Sequence, residues 1–145
     1  MATQTIERPV RRRAADLEAQ FPGRYLSVTS FKRDGTGVAT PVWSVSDGRR
    51  LFALTDLQSA KVRRIRNNPH VLVASCRAGG RLRSEPVAAR AEVLTSEPEL
   101  ERVQALLLER YRVSYRLVML VYRLGRRLRG KRSVADGAAL AITVD

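Results

Sequence analysis

Hydroxyl, ammonium and guanidinium groups gather in one short stretch of the chain that begins at Thr55. Ser59 and Lys61 follow, and three arginines come directly after them: Arg63, Arg64 and Arg66. The spacing predicts a short helix that begins near Ser59 and ends at Asn68-Pro69, because a proline disfavours the helical conformation in the residue before it. The first turn of a helix has unpaired N–H groups and the positive end of the dipole, which favour anions. We therefore predict a phosphate site here.

Residue sets that would indicate hydrolytic or metal chemistry are missing from the sequence. The single histidine, His70, has no second candidate base or ligand and is expected at the start of a strand. The single cysteine, Cys76, lies in the apolar run VLVASCR, where a buried, inert thiol is expected. We therefore predict no metal site and nominate no catalytic side chain.

Turn signals on both sides of the basic stretch predict antiparallel β structure. Asp34-Gly35 and Ser46-Asp47-Gly48 are typical of hairpin turns. The predicted strands alternate or are continuously apolar: Tyr25–Phe31, Gly37–Val45, Arg50–Thr55, Val71–Cys76, Leu82–Leu94 and Ala138–Val144. No Gly-x-Gly-x-x-Gly joins a strand to a helix, so a doubly wound dinucleotide fold has no support. A barrel of about six antiparallel strands closes its own edges and leaves a rim for ligands.

A second helical segment is predicted over residues 97–129, with a break near Tyr111–Tyr115. Four arginines fall within about 60° of one another on this helix: Arg112, Arg116, Arg123 and Arg127. An apolar stripe lies beside them. Three interpretations stay open: a packed helix with a solvated basic face, a channel for an anionic cofactor tail, and a contact with an anionic membrane or a nucleic acid. Nucleic acid is not expected, because no zinc-finger, RNP or helix-turn-helix pattern accompanies the arginines.

Length and composition predict one folded domain. The chain has 145 residues, 44% hydrophobic residues and a net charge of +13, which favours an anionic partner. Residues 1–10 are polar and expected to be flexible. No apolar run approaches the roughly 20 residues of a membrane span, and no apolar segment of a signal peptide follows the first arginines. We therefore expect a cytoplasmic protein, with surface contact to an anionic membrane as an open interpretation.

Between Tyr25 and Leu94 the sequence resembles the pyridoxamine-phosphate-oxidase-like split β-barrel family of flavin and deazaflavin proteins. The resemblance lies in the order and spacing of five pieces: TSFKRDGTGVATPVW, SDGR, LFALT, SAK and IRNNPHVLVAS. Around TPVW and SAKVRR the sequence is most similar to the branch that uses the deazaflavin coenzyme F-420. The resemblance implies a mainly β (α+β) fold, a six-stranded antiparallel split β-barrel of the FMN-binding type with peripheral helices. It also implies a homodimer with the cofactor in a groove between the subunits.

The resemblance also implies which residues hold the cofactor. Its phosphate would lie on the loop and helix start, at these residues: Thr55, Ser59, Ala60, Lys61 and Arg64. The edge of the tricyclic ring would lie along one strand, whose backbone groups bond the pyrimidine edge: Thr40, Pro41, Val42 and Trp43. For Trp43, packing against the ring and packing in the barrel core are both open.

The implied activity is hydride transfer between reduced F-420 and a small unsaturated organic substrate. An FMN-dependent oxidoreductase of the same fold is the alternative closest to it. A protein that holds the cofactor or another anion without turnover is a second alternative, and a basic protein associated with a membrane or nucleic acid is a third. The physiological substrate is not encoded in any motif of the chain.

Overall fold

The computed structural model describes residues 17, 19–111 and 137–145. They form one seven-stranded antiparallel sheet: β1 (Tyr25–Phe31), β2 (Gly37–Trp43), β3 (Val45–Ser46), β4 (Leu51–Asp56), β5 (His70–Cys76), β6 (Val87–Leu94) and β7 (Gly137–Val144). Helix α1 (Ala60–Asn67) follows β4. Residues 97–111 are helical and are called α2 below. The predicted flexible segment 1–10 and the arginine stripe of the basic helix 97–129 lie outside the described residues.

The strands follow the order β2-β1-β5-β6-β7-β4-β3 across the sheet. The two edge strands, β2 and β3, are consecutive in the chain and are joined by Ser44 alone, so the sheet curls until its two edges meet there. The prediction of a six-stranded barrel needs correction, because the sheet has seven strands and is not closed. The physical reason lies at Ser44: its N–H bonds the Arg24 carbonyl at 3.1 Å, whereas the next residue, Val45, pairs with Phe52 of β4. The predicted strand Gly37–Val45 changes partner at that point.

The two predicted hairpin turns are confirmed. Gly35 and Gly48 have φ of 88° and 96°, a region that glycine enters without steric cost. The Asp34 carboxylate accepts the Thr36 N–H at 2.9 Å, and the Asp47 carboxylate accepts the Arg49 and Arg50 N–H groups at the same distance. In both turns the aspartate carboxylate accepts N–H groups two or three residues later in the chain, which stabilises the turn.

The predicted strand Leu82–Leu94 is wrong in its first half. Only Leu82 makes an isolated bridge, to Cys76, and β6 begins at Val87, directly after Pro86. A proline cannot donate to a strand ladder. In β5, the Ser75 N–H donates to the hydroxyl oxygen of Ser84 at 2.9 Å. A side chain therefore accepts this N–H in place of a backbone carbonyl of the predicted strand.

Apolar side chains are buried on both faces of the sheet. The inner cluster includes Leu26, Val28, Ala53 and Leu140, and Ile65 of α1 joins it at one end of the barrel. The outer cluster is covered by α2 and includes these residues: Phe52, Leu94, Val103, Leu107, Ala139 and Ala141. Since β7 contributes to both clusters, its continuous apolar run is explained by burial on two faces.

Candidate cofactor and anion site

The start of α1 has the geometry that the sequence predicts. Asp56 closes the loop after β4, since its backbone oxygen accepts the Ser59 N–H at 3.0 Å. Ser59 is the N-cap, in an extended conformation, and its Oγ accepts the Val62 N–H at 3.4 Å. This bond uses the Ser59 hydroxyl as an acceptor and leaves its proton available for a ligand. No acidic residue stands in the first turn of α1, so the positive end of the helix dipole is not neutralised by the helix itself.

Lys61 is the unusual residue of this helix. Its residue surface is only 8% exposed, although it is a cation next to the helix N-terminus. Among the described residues, the Arg102–Asp47 contact is the one salt bridge, so Lys61 has no carboxylate partner there. No buried side-chain nitrogen or oxygen in the described part of the chain lacks a hydrogen-bond partner, and no bond to Lys61 is present, so the ammonium itself keeps access to solvent. Its stem is buried while its charge is open to a ligand.

Burial lowers the pKa of the Lys61 ammonium from its usual 10.5, and the positive charge of Arg64 lowers it further. Both effects mean that the protein disfavours the charge at this position. An anion bound there would remove the cost, because it supplies the opposite charge that the described chain does not. The electrostatics of α1 therefore favour an anionic ligand near Lys61 and Arg64.

A cleft of about 560 Å³ lies beside α1, between this helix and the β1–β2 hairpin, and is called the α1 cleft below. It is lined by four cations and by apolar and amide side chains: Phe31, Lys32, Arg33, Ala60, Arg63, Arg64, Asn67 and Asn68. None of these lining residues is acidic. The cleft is therefore a concave, positively charged surface that fits a ligand with several negative groups.

Arg64 is held in place by the barrel. Its Nε donates to the Oγ of Ser30 at 2.7 Å, and Ser30 is completely buried at the end of β1. This bond uses the one nitrogen that lies along the side chain and leaves the two terminal nitrogens of the guanidinium for a ligand. A guanidinium fixed in this way can bind phosphate or carboxylate with two parallel hydrogen bonds.

The predicted phosphate residues thus form one continuous structure at one end of the barrel. Thr55 is half-buried near the end of β4, and Ser59 and Lys61 follow through the capped turn. Ala60 and Arg64 line the cleft, whereas Lys61 lies on the flank of α1 between the cleft face and the core face of Ile65. The angle between Lys61 and Arg64 is about 60° around the helix, since each residue turns by about 100°.

The predicted ring-edge residues lie apart from the cleft, on the edge strand β2. None of the four residues from Thr40 to Trp43 lines the α1 cleft. The backbone bonds from Ser44 to Arg24 and from Lys32 to Thr36 set the alternation of the β1–β2 ladder. In that alternation Thr40 and Val42 bond β1, whereas the backbone groups of Pro41 and Trp43 face the free edge. Proline is tolerated at Pro41 because its missing N–H would point away from the ladder.

Trp43 lies in an aromatic cluster on the outer face of the sheet. Its ring is 6.0 Å from that of Tyr25 in an edge-to-face arrangement and 5.1 Å from that of Tyr111. The Tyr111 hydroxyl donates a short hydrogen bond to the backbone oxygen of Ser44, which fastens α2 to the junction of β2 and β3. The Arg24 guanidinium is 6.0 Å from the Trp43 ring. Trp43 therefore does not belong to the inner barrel core.

The remaining single residues agree with their predicted structural roles. His70 is the first residue of β5 and is exposed, and its N–H donates to the Asn68 side chain at 3.1 Å. Cys76 is buried, and burial raises the pKa of its thiol, which makes it a poor nucleophile. Among residues 17, 19–111 and 137–145, no group of three His, Cys, Asp or Glu side chains could hold a metal ion. No helix in the described part is long and apolar enough to cross a membrane.

Sequence reasoning missed Ser30 and the hairpin side of the cleft, Lys32 and Arg33. Ser30 carried a readable signal, because it continues the inward alternation of Leu26 and Val28, and a polar residue at such a position needs a partner. Lys32 and Arg33 carried none, since a basic hairpin turn is common on any surface. Only the tertiary contact between the hairpin and α1 places these cations beside Arg64.

Residues 17–145 match the family model described as pyridoxamine 5'-phosphate oxidase. Among curated proteins, no sequence matches the chain.

Several solved structures share the fold. An F-420 reductase superposes with a TM-score of 0.54 at 16% identity, over 88% of this chain and 92% of the reductase. The heme storage protein HutZ from Vibrio cholerae gives a TM-score of 0.60 at 15% identity, over 92% and 91% of the two chains. General Stress Protein 26 from Bacillus anthracis gives 0.52 at 19% identity, over 88% and 84%. At these identities the likeness shows the fold and nothing finer.

Proposed function

The chain belongs to the pyridoxamine 5'-phosphate oxidase family, and on that premise we propose that it is an oxidoreductase that binds the deazaflavin coenzyme F-420. Hydride would pass between the reduced coenzyme and a small unsaturated organic substrate. The coenzyme would supply the reactive carbon, while the residues of this chain bind and orient it.

Lys61 is the observation that carries the proposal. Burial of its stem and the nearby charge of Arg64 lower the pKa of Lys61, and no described carboxylate lies beside it, so an anion at its solvent-accessible ammonium would offset the disfavoured charge. Ser59 adds a hydroxyl proton and the first turn of α1 adds unpaired N–H groups. Together these groups would bind a phosphate at the start of α1.

The α1 cleft supports F-420 over FMN. FMN presents one phosphate, whereas F-420 adds a polyanionic tail beyond its phosphate. Four cations and no acidic side chain line this cleft: Lys32, Arg33, Arg63 and Arg64. Arg64 is also one of the predicted phosphate residues, whereas the other three are additional. A single phosphate would leave most of these charges unused. The number of cations therefore matches the longer ligand.

The ring of the coenzyme has a candidate position along β2. The free edge of this strand offers the carbonyl of Pro41 and the backbone groups of Trp43 as hydrogen-bond partners for a heterocycle. The aromatic side chain of Trp43 is half-buried and offers a flat apolar surface at the same place. These residues would orient the ring, with no side chain of this chain assigned as a proton donor or nucleophile.

A homodimer is part of the proposal. Within the described residues no strand pairs with the outer side of β2, and unpaired strand edges are usually covered in native proteins. A second copy of the chain over this edge would enclose the ring, which one barrel leaves on an open surface. Light scattering on a size-exclusion column measures this directly, and a monomer at all concentrations would contradict it.

Titration of the purified protein with F-420 and with FMN, followed by fluorescence, tests the choice of coenzyme. We expect tighter binding of F-420, and then oxidation of reduced F-420 when a conjugated substrate is added. Tighter FMN binding would transfer the assignment to the flavin, and binding without turnover on any substrate would assign a carrier or storage role. Absence of binding for both compounds would overturn the proposal.

A matched pair of variants separates a specific site from general basicity. Lys61→Met and Arg66→Gln each remove one positive charge from α1, but Lys61 is buried in its first turn, whereas Arg66 is exposed in its last turn. We expect loss of coenzyme affinity in the first variant and wild-type affinity in the second. Equal effects would mean that the ligand responds only to net charge.

A further inference from the structure

A second basic region lies at the other end of the barrel, in the connection between β5 and β6. Residues 77–83 are called the arginine loop below. They contain three exposed arginines: Arg77 comes before an Ala-Gly-Gly tip, and Arg81 and Arg83 come after it. Leu82 stands among them with 46% of its surface exposed, and it is one of two large hydrophobic side chains that are exposed in the described part of the chain. The cofactor assignment uses none of these residues.

The arginine loop is a built hairpin with a defined shape. The Gly80 N–H bonds the Arg77 carbonyl at 2.8 Å, the Arg77 N–H bonds the Arg81 carbonyl at 2.9 Å, and the Arg83 N–H bonds the Ser75 carbonyl at 2.7 Å. Gly80 has a φ of 93°, which permits the tight turn. These bonds hold the arginines and Leu82 on a protruding turn, so the exposure of Leu82 is a property of the fold.

The loop arginines outnumber the one acidic residue that follows them, Glu85. The salt bridge found among the described residues, Arg102–Asp47, lies elsewhere, so the loop arginines have no ion pair there. Arg83 also adjoins the start of β1, because a methyl group on Gly23 would stand 3.5 Å from its Nη1. Arg24 is the next residue and is exposed as well. The basic surface therefore extends from the loop to the neighbouring strand.

We propose that the arginine loop docks the protein on an anionic lipid surface, with Leu82 entering the interface and the arginines facing the lipid headgroups. Basic residues near such a surface are attracted by its negative potential, and long cationic side chains keep their charge in water while their stems cover apolar surface. A protruding aliphatic residue surrounded by arginine fits this environment.

Other partners fit the loop less well. A second copy of the chain would bring like charges together. Single-stranded nucleic acid is usually bound by stacking on aromatic side chains, and residues 77–83 contain none. The binding would be weak and reversible, since it rests on one apolar side chain and a few charges.

The docking site and the α1 cleft would not obstruct each other. The cleft residues Asn67 and Asn68 come directly before β5, and the loop begins directly after it. A seven-residue strand spans roughly 20 Å, so a membrane at the loop leaves the cleft in solution. Arg24 links the two regions, because its guanidinium lies 6.0 Å from the Trp43 ring, and the variants below leave it unchanged. The proposal rests on residues 77–83 and can fail independently of the cofactor assignment.

The test measures sedimentation of the full chain with vesicles of phosphatidylcholine, with and without phosphatidylglycerol. Two triple variants lose the same charge, one in the loop (Arg77→Gln/Arg81→Gln/Arg83→Gln) and one in the cleft (Lys32→Gln/Arg33→Gln/Arg63→Gln). We expect the loop variant to lose about a hundredfold in partitioning to anionic vesicles, at about fivefold for each arginine. The cleft variant should lose much less. Equal losses would show that net charge alone drives binding and would overturn the proposal, as would unchanged binding of the loop variant.

Insertion of the apolar tip is tested by labelling Leu82→Cys with an environment-sensitive fluorophore. Cys76 is buried, so the new thiol is the reactive one, and thermal unfolding checks that the labelled protein is folded. We expect a blue shift of the emission with anionic vesicles and none with phosphatidylcholine alone. An unshifted emission on bound vesicles would overturn the insertion. RNA binding of the wild type and of the triple loop variant is measured in parallel. If the loop variant loses RNA binding but keeps vesicle binding, the loop binds nucleic acid and the lipid proposal is wrong.

Discussion

The α1 cleft and the arginine loop are both rich in arginine, yet they differ in shape and in how their charged groups are held. The cleft is concave, its Arg64 is fixed by the buried Ser30, and the buried Lys61 lies on its flank. The loop is convex, and its arginines are exposed around the apolar Leu82. The described part of the chain therefore carries two basic surfaces of different kinds.

The difference shows that burial and fixation give a charge its specificity. An exposed arginine is screened over about 8–10 Å and attracts any anion. A cation that is partly desolvated and held by a neighbour is already ordered in the free protein, so little side-chain entropy is lost on binding. Because its position is fixed, it discriminates among ligands by shape. The first kind of charge suits a broad surface, and the second suits one small molecule.

The largest expected effect is that of Lys61→Met on coenzyme affinity. Loss of a hydrogen bond to a charged group costs about 1.5–3 kcal/mol, or roughly 10- to 150-fold in the dissociation constant. Vesicle binding should stay unchanged, because Lys61 is far from the arginine loop. Fluorescence titration and vesicle sedimentation of the same sample measure the two effects.

The same variant should be more stable than the wild type without ligand. Since the folded protein lowers the pKa of Lys61, folding opposes its charge, and this cost is full below the folded pKa. The cost disappears as the pH rises from the folded pKa to the usual 10.5. We therefore expect Lys61→Met to raise the midpoint of thermal unfolding at neutral pH, with a smaller gain at alkaline pH. A lower midpoint at neutral pH would contradict the account of Lys61.

Salt should separate the two regions next. Raising the ionic strength should weaken vesicle binding several-fold more than coenzyme binding, because the loop charges are all exposed, whereas the coenzyme would also contact the buried Lys61 and the half-buried Arg64. Titrations at low and high sodium chloride measure both. Equal salt dependence would remove the physical distinction between the cleft and the loop.

Ser30→Ala tests the fixation of Arg64. The variant leaves Nε without its partner and frees the guanidinium, which should weaken coenzyme binding by about tenfold. Ser27→Ala is the matched control, since Ser27 is buried on the other face of the same strand. If both variants bind alike, Ser30 serves only the packing of β1.

The smallest effect is expected at a third charged contact, which belongs to neither region. Burial alone would raise the pKa of Asp47, but the N–H groups of Arg50 and Arg49 and the guanidinium of Arg102 outweigh it and lower the pKa below 3.8. The Arg102–Asp47 bridge, at 2.9 Å, joins α2 to the β3–β4 turn. The stabilisation is therefore present above pH 3.8 and is lost as the pH falls through the folded pKa.

Arg102→Gln should cost no more than about 0.5–1 kcal/mol of unfolding free energy at neutral pH, since Arg102 is 58% exposed and its charge is screened. Urea unfolding measures this, and the difference from the wild type should fade in acid. A loss that persists at low pH would assign the effect to the contact of Arg102 with the Phe52 ring instead.

Much of this protein follows from local sequence. Hairpin turns at Asp34-Gly35 and Asp47-Gly48, the cap at Ser59 and the stop at Asn68-Pro69 are local, because each depends on the conformational preferences of a few consecutive residues. The continuous apolar runs of β5 and β7 likewise predict burial on both faces of the sheet. The antiparallel fold class and the capped start of α1 could therefore be predicted from the order of these signals.

Contacts between residues distant in sequence were decided only by the tertiary structure. The change of partner at Ser44 divides one predicted strand into two, because β1 and β4 compete for the same segment. The bond from Arg64 to Ser30 spans 34 positions, and the cleft needs the β1–β2 hairpin beside α1. Local preference determines which groups a segment carries, whereas packing determines which of those charges are buried, fixed and brought together.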